Sequence, residues 1–281
     1  IVITFFTLPV ILLYKISSKK KILIFLFSIV LILSFYIYGN YEINKNSNFL
    51  KTIDKKINVK IISPNFELEY GLNIDQIENK LKKIIRYSNP SLNKKTLFIW
   101  PEGVFSGYHY NEILIFKELI KKNFSKKHHI IFGVNKLEEK TGLFYNSLLL
   151  VNNEFEVIQQ YNKQKLVPFG EFLPFENLLN KFGFKKITEG HGSFQKGEDK
   201  INLKIDQLNI LPLICYEVIF TKLIQEANIN TNLIVNISED AWFGNTIGPE
   251  QHYVKSIFRA IETGTFFLRS ANKGISAIID N

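Results

Sequence analysis

Cys215 is the one cysteine of the chain, and it ends the apolar run Ile210-Leu211-Pro212-Leu213-Ile214 just before Tyr216 and Glu217. A thiol at the end of a buried strand, where the chain turns toward polar residues, is held rigidly and can still be reached. A free thiol titrates near about 8.5 and is mostly protonated at neutral pH, so it needs a base or a nearby positive charge to act as a nucleophile. Ile99-Trp100-Pro101-Glu102-Gly103 places a carboxylate just past a second apolar run, and Tyr161-Asn162-Lys163 places an ammonium at the end of a third. Glu102 could take the thiol proton, and Lys163 could stabilise first the thiolate and then the oxyanion of a tetrahedral intermediate, with a backbone amide after Cys215 as a second donor. Taken singly these residues are ordinary. A lone buried cysteine often serves as a small hydrophobe, and a lone Glu or Lys is most often a surface charge.

The elements that must position these groups follow from periodicity. Val59–Ile62, Leu97–Trp100, His129–Val134, Ser147–Val151, Glu156–Tyr161, Leu233–Ile237, Thr265–Leu268 and Ile275–Ile279 read as strands, as does the run ending at Cys215. Ile74, Ile77, Leu81, Ile84 and Ile85 recur at helical spacing with Asn73 as cap. Further helices are expected over 112–122, just after Cys215, and over 249–262. Strands alternating with helices make this an α/β layered domain. Between Lys163 and Gly190 lies a run rich in Phe among Pro and Gly. It reads either as a loop packed on the domain or as a lid whose aromatics touch lipid.

The N-terminal part differs from the rest. Ile22 to Tyr38 is 17 residues without a charge, close to the short end of the roughly 17–25 that cross a bilayer, and Tyr36 and Tyr38 suit an interfacial belt. Lys19–Lys21 precede it, as in a signal peptide, but the apolar run is longer than an h-region and no small-x-small site follows. Ile1 to Tyr14 is also uncharged; because the chain opens on Ile and contains no Met, this run reads as the tail of a longer span. The lysines of 15–21 favour the cytoplasmic side, which puts the following domain outside the cytoplasm. Residues 1–56 are therefore expected to be membrane segments and linker, and 57–281 one domain large enough for its own core. The net charge of +9 comes with no nucleic-acid recognition motif, so no nucleic-acid partner is expected; the excess lysines read either as suiting an anionic lipid surface or as an ordinary solvated face.

Trp100-Pro101-Glu102, Tyr161-Asn162-Lys163 with Leu166-Val167-Pro168-Phe169-Gly170-Glu171, Cys215-Tyr216-Glu217, and Asp240-Ala241-Trp242-Phe243-Gly244 with Gln251-His252 together resemble the nitrilase superfamily. Within it they look like the bacterial apolipoprotein N-acyltransferases, over about residues 57–281. The resemblance implies an α-β-β-α sandwich preceded by a transmembrane helix. It implies Glu102 as general base, Lys163 as oxyanion stabiliser and Cys215 as nucleophile, with Glu171, Tyr216 and Glu217 supporting, and neither metal nor cofactor. The implied partners are a phospholipid acyl donor and a lipoprotein N-terminus as acceptor, at the bacterial inner membrane with the catalytic domain on the periplasmic side. Ser63, Lys165 and Glu239 stand where that family commonly has Gln, His and Asn. Trp242 and Phe243 read equally as core packing or lipid contacts, and His252 as a helix-surface or packing residue. A membrane-tethered amidohydrolase acting on a small amide, and a catalytically dead binding module, are the rival readings.

Overall fold

The computed structural model describes residues 10, 17–50, 57–69, 71–175, 193–198, 202–225 and 230–280. Most of the run 1–14 and the centre of the Phe-rich stretch, 176–192, lie outside these residues. The chain divides into two compact units, Ile1–Asp54 and Lys55–Asn281.

In the first unit the helix α1 (Ser18–Leu50) carries the uncharged run. Its stretch Ser18–Lys45 is long and apolar enough to cross a membrane. Phe25, Leu26, Val30, Phe35 and Tyr38 are exposed, an apolar surface all round that suits lipid better than water.

The second unit is built on two five-stranded sheets. In the first, β1 (Asn58–Ile61), β2 (Thr96–Ile99) and β3 (His128–Glu138) run parallel, while β4 (Leu143–Val151) and β5 (Val157–Asn162) add antiparallel. In the second, β6 (Leu203–Ile205) pairs antiparallel with β7 (Leu208–Ile214), which is followed in parallel by β8 (Leu233–Glu239) and β9 (Phe266–Asn272), with β10 (Ala277–Ile279) antiparallel at the far edge. Strand side chains alternate between faces, and the burial follows that rule. Leu97, Ile99, Ile131, Leu148 and Leu150 of one sheet meet Ile210, Ile214, Val235, Ile237 and Leu268 of the other.

The opposite faces are covered by helices. On the first sheet, Phe98, Trp100, Ile130 and Phe132 pack with α2 (Ile74–Ser88), α3 (Tyr110–Ile113) and α4 (Lys117–Asn123). On the second, Leu211, Leu213, Ile234 and Phe267 pack with α5 (Thr221–Gln225) and α6 (Gly248–Thr263). The result is the α-β-β-α sandwich. Asn73 caps α2 in a reciprocal capping box with Gln76. The helix expected over 112–122 is broken by a 3-10 turn, Leu114–Phe116. That tighter turn brings Ile113 and Phe116 onto one line, and both are buried with Ile120 against the sheet.

Candidate active site

Glu102, Lys163 and Cys215 each sit one to three residues past a strand whose last apolar side chains are buried, so register fixes where they emerge. Cys215 directly follows β7 and opens a 3-10 turn, Cys215–Ile219. Its backbone is left-handed, with φ +49°, a conformation that costs a side-chain-bearing residue roughly 1–2 kcal/mol. Such strain persists where the surroundings enforce it. Asn236 Nδ2 donates to the Leu213 and Cys215 carbonyls at 3.2 and 3.3 Å, and His252 Nε2 lies 3.1 Å from the Cys215 carbonyl.

Glu217 supplies the rest of that enforcement. Fully buried, it accepts from the Ile214 N–H at 2.9 Å, from Gln164 N and Lys165 N at 2.7 and 3.0 Å, and from the Tyr161 hydroxyl. One carboxyl thereby clamps the turn bearing Cys215 to the segment bearing Lys163. Burial pushes Glu217 up to about 7, against the pull of those N–H donors and Lys163. The Tyr161 hydroxyl is held well above its usual range, by burial first and by Glu217 next.

Lys163 is 2% exposed. Its Nζ lies 2.8 Å from Glu171 Oε1 and 3.9 Å from Glu102 Oε1. Burial alone would pull the ammonium down, but Glu171, Glu102 and Cys215 outweigh it, and the group is held charged above its usual range. The Asn146 amide, on β4, donates to both carboxylates, to Glu102 at 2.8 Å and Glu171 at 2.7 Å. Glu171 also accepts from Val167 N at 2.8 Å, which folds the Val167–Glu171 loop back over the ammonium. Glu102 accepts from the Glu239 N–H at 3.1 Å.

The structure thus brings Glu102, Lys163, Glu171 and Cys215 together, with Glu217 beneath them. The thiol lies within electrostatic reach of Glu102, Lys163 and Ser238. Burial and Glu102 push it up to about 12 against Lys163 and Ser238, so the resting group is a neutral thiol. Tyr216 takes no part in this polar cluster; its ring packs edge-on against Phe220 with centroids 5.1 Å apart.

Asn146 lies outside the motifs: it is a buried polar residue inside an apolar strand, which is the one hint sequence offers. His252 is a buried network member, not a helix-surface residue: its Nδ1 lies 2.9 Å from Asp240 Oδ1, and Asp240 is gripped in turn by Arg269 at 2.7 Å and Ser238 at 2.6 Å. Burial alone would raise the Asp240 carboxyl, but His252, Arg269 and Ser238 overcome it and hold the group below the usual carboxylate range. Of the residues that depart from the resemblance, Ser63 donates to the Ala271 carbonyl at 3.1 Å and Lys165 lies over the Phe220 ring at 5.7 Å. Among the described residues, no group of three or more His, Cys, Asp or Glu could hold a metal ion.

Several known proteins are similar. The apolipoprotein N-acyltransferase of Rhodopseudomonas palustris is 32% identical over 237 residues, 80% of this chain and 44% of its own length. Those of Wigglesworthia glossinidia brevipalpis and Bradyrhizobium diazoefficiens are 33% and 35% identical over 235 residues each, covering 80% and 79% of this chain. The chain therefore spans somewhat under half the length of these relatives, 44–46%. Among solved structures, a CN-hydrolase superfamily protein of Xanthomonas campestris has a TM-score of 0.56 at 15% identity, over 80% of this chain and 83% of that one. Nit3 of Saccharomyces cerevisiae, a nitrilase-superfamily member, has a TM-score of 0.52 at 16% identity, over 80% and 82%. The carbon-nitrogen hydrolase family matches residues 70–281, which takes in nearly all of the two-sheet sandwich and every charged group around Cys215, and to that family, in the nitrilase superfamily, the chain belongs.

Proposed function

We propose that the domain is an acyltransferase that moves a fatty acyl chain from a phospholipid, through a thioester on Cys215, to the N-terminal amine of a diacylglyceryl-cysteine lipoprotein. The observation that carries this reading is the convergence of one ammonium and two carboxylates on a neutral thiol held in strained backbone. It gains support from the similarity to proteins named for this activity, and from a helix apolar enough to keep such a domain at a lipid surface.

In the first half-reaction the Cys215 sulfur attacks the ester carbonyl while Glu102 accepts the thiol proton. The carbonyl oxygen becomes an oxyanion. Lys163 has three N–H donors; two face Glu171 and Glu102 and the third serves the oxyanion, with the Tyr216 backbone N–H as its second donor. Collapse breaks the C–O bond, and the departing lysophospholipid alkoxide takes the proton back from Glu102. In the second half the acceptor amine attacks the thioester and gives its proton to Glu102. The C–S bond then breaks, and the thiolate recovers the proton as the amide forms. Glu171 keeps Lys163 charged and aimed, and Glu217 holds the nucleophile's turn. The site works on the periplasmic face of the inner membrane, where Phe169 and Phe175, both exposed, face lipid.

Intact-mass measurement after incubation with phospholipid vesicles tests this. An acyl adduct that hydroxylamine removes, absent in Cys215→Ala, is expected. Absence of an adduct on folded full chain, or ammonia release from small amides without lipid, would sink the proposal.

A further inference from the structure

Glu239 ends β8 and is 4% exposed, yet no step above uses its carboxyl. It lies at the junction of four strand exits. Its backbone N–H is the donor to Glu102 Oε2. Its Oε1 accepts from Ala241 N at 3.1 Å, and the Asn272 amide, closing β9, donates to its two oxygens at 2.9 and 3.0 Å. Asn272 is itself locked to the segment after β1: the Phe66 N–H donates to its Oδ1 at 2.7 Å, and its Nδ2 donates to the Phe66 carbonyl at 2.9 Å. From the β2 side, Gly103 has φ +80°, and a Cβ there would run into Glu239 Oε2. The carboxyl therefore lies against the backbone of the residue next to Glu102.

The charged groups that face it are both acidic, Glu102 on the β2 exit and Asp240 next along the chain. Cations on the neighbouring elements are engaged with other carboxylates: Lys163 with Glu171 and Glu102, Arg269 with Asp240, and Lys273 with Glu67. A buried carboxyl given amide donors but no cation, beside a second carboxylate, holds its proton tightly, because two such groups cannot both ionise cheaply. Burial, then Glu102 and Asp240, push Glu239 up to about 8 against Asn272 and Ala241.

We propose that Glu239 is a positioning residue that acts by holding a proton: its backbone N–H seats Glu102 while its carboxyl stays neutral, and on losing its proton to solvent it adds a buried negative charge that opposes thiolate formation at Cys215. This rests on the reading of Cys215 as nucleophile and Glu102 as base.

The test is the rate of Cys215 alkylation by iodoacetamide, read by intact mass on the full chain, in wild type and Glu239→Gln across about pH 6 to 9. The amide cannot ionise, so the ratio of variant to wild-type rate should climb about three- to tenfold from the acid to the alkaline end. In parallel, the infrared difference between wild type and E239Q should show the carbonyl band of a protonated carboxylic acid that fades as pH passes about 8. A flat ratio without that band overturns the proposal. Should E239Q fail to fold, Glu239→Asn carries the same two measurements. Alkylation needs no lipid, so a rising ratio in a protein that forms no acyl adduct would count against acyl transfer alone, and a flat ratio with normal adduct formation against Glu239 alone.

Discussion

Replacing Lys163 by Met keeps the length of the side chain and removes the charge from between two buried carboxylates. At an effective dielectric of about 20, the attraction is worth about 6 kcal/mol to Glu171 at 2.8 Å and about 4 kcal/mol to Glu102 at 3.9 Å. Most of that offsets the cost of burying three ions. The net loss on breaking the set is about 3–5 kcal/mol, which for a domain of this size lowers the melting temperature by about 10 °C. Wild-type Lys163 is held charged, above its usual range. Thermal unfolding of the full chain in detergent is the assay. K163M combined with Glu171→Gln should cost less than the two changes added together, since they share one interaction. A melting shift of under about 2 °C, or full additivity in the double variant, would refute the pairing argument.

Glu217→Gln sets an amide N–H against backbone donors that now meet a carboxyl, and should destabilise by about 2–4 kcal/mol. Because wild-type Glu217 is raised from 4.5 to about 7, its ionisation costs wild-type stability across that window, and the melting deficit of E217Q should narrow as pH rises through it. Gly133→Ala would place a Cβ 3.0 Å from Ile237 Cδ1 and 3.1 Å from Glu102 Cα; we expect a stability loss of only about 1–2 kcal/mol with a thioester-formation rate lowered at least about tenfold, measured by melting and by adduct mass. Phe175→Ser, at a side chain 82% exposed, should weaken vesicle flotation and adduct formation from vesicles while leaving iodoacetamide alkylation of Cys215 as in wild type.

Much of this arrangement was legible because strand ends are visible in sequence. Ile99, Tyr161 and Ile214 close buried runs, and Glu102, Lys163 and Cys215 are the polar groups that follow. The strand periodicity sufficed for the sheets, although β6 is only three residues long and falls below what alternation can reveal. The break at Leu114–Phe116 left no trace, because no Gly or Pro marks it; tertiary packing of Ile113 and Phe116 decides it. Nor could the left-handed backbone of Cys215 be foreseen, since residue type there disfavours it and only Asn236, His252 and Glu217 impose it. The clamp of Asn146 on Glu102 and Glu171, and the burial of His252 against Asp240 and the Cys215 carbonyl, join residues far apart in the chain. Each depends on which strand lies beside which, a matter of topology.

The same topology explains how so many ionisable groups can be buried together without unfolding the domain. Ile99, Tyr161, Ile214 and Ile237 all enter the core between the sheets, so the chain positions that follow them are fixed relative to one another by apolar packing before any polar contact forms. A buried ion pair gains little over an apolar replacement when it must organise its own surroundings; here that organisation is supplied in advance. Gly133 shows how tight the fixing is, since it brings β3 close to both Ile237 and the Glu102 backbone. The strain at Cys215 and the unneutralised carboxyl of Glu239 are costs that a sandwich with two outer cores and one inner core can absorb. It follows that loss of function and loss of stability should separate at this site: changes to the apolar anchors unfold the protein, whereas changes of a few tenths of an ångström at the strand exits disarm it first.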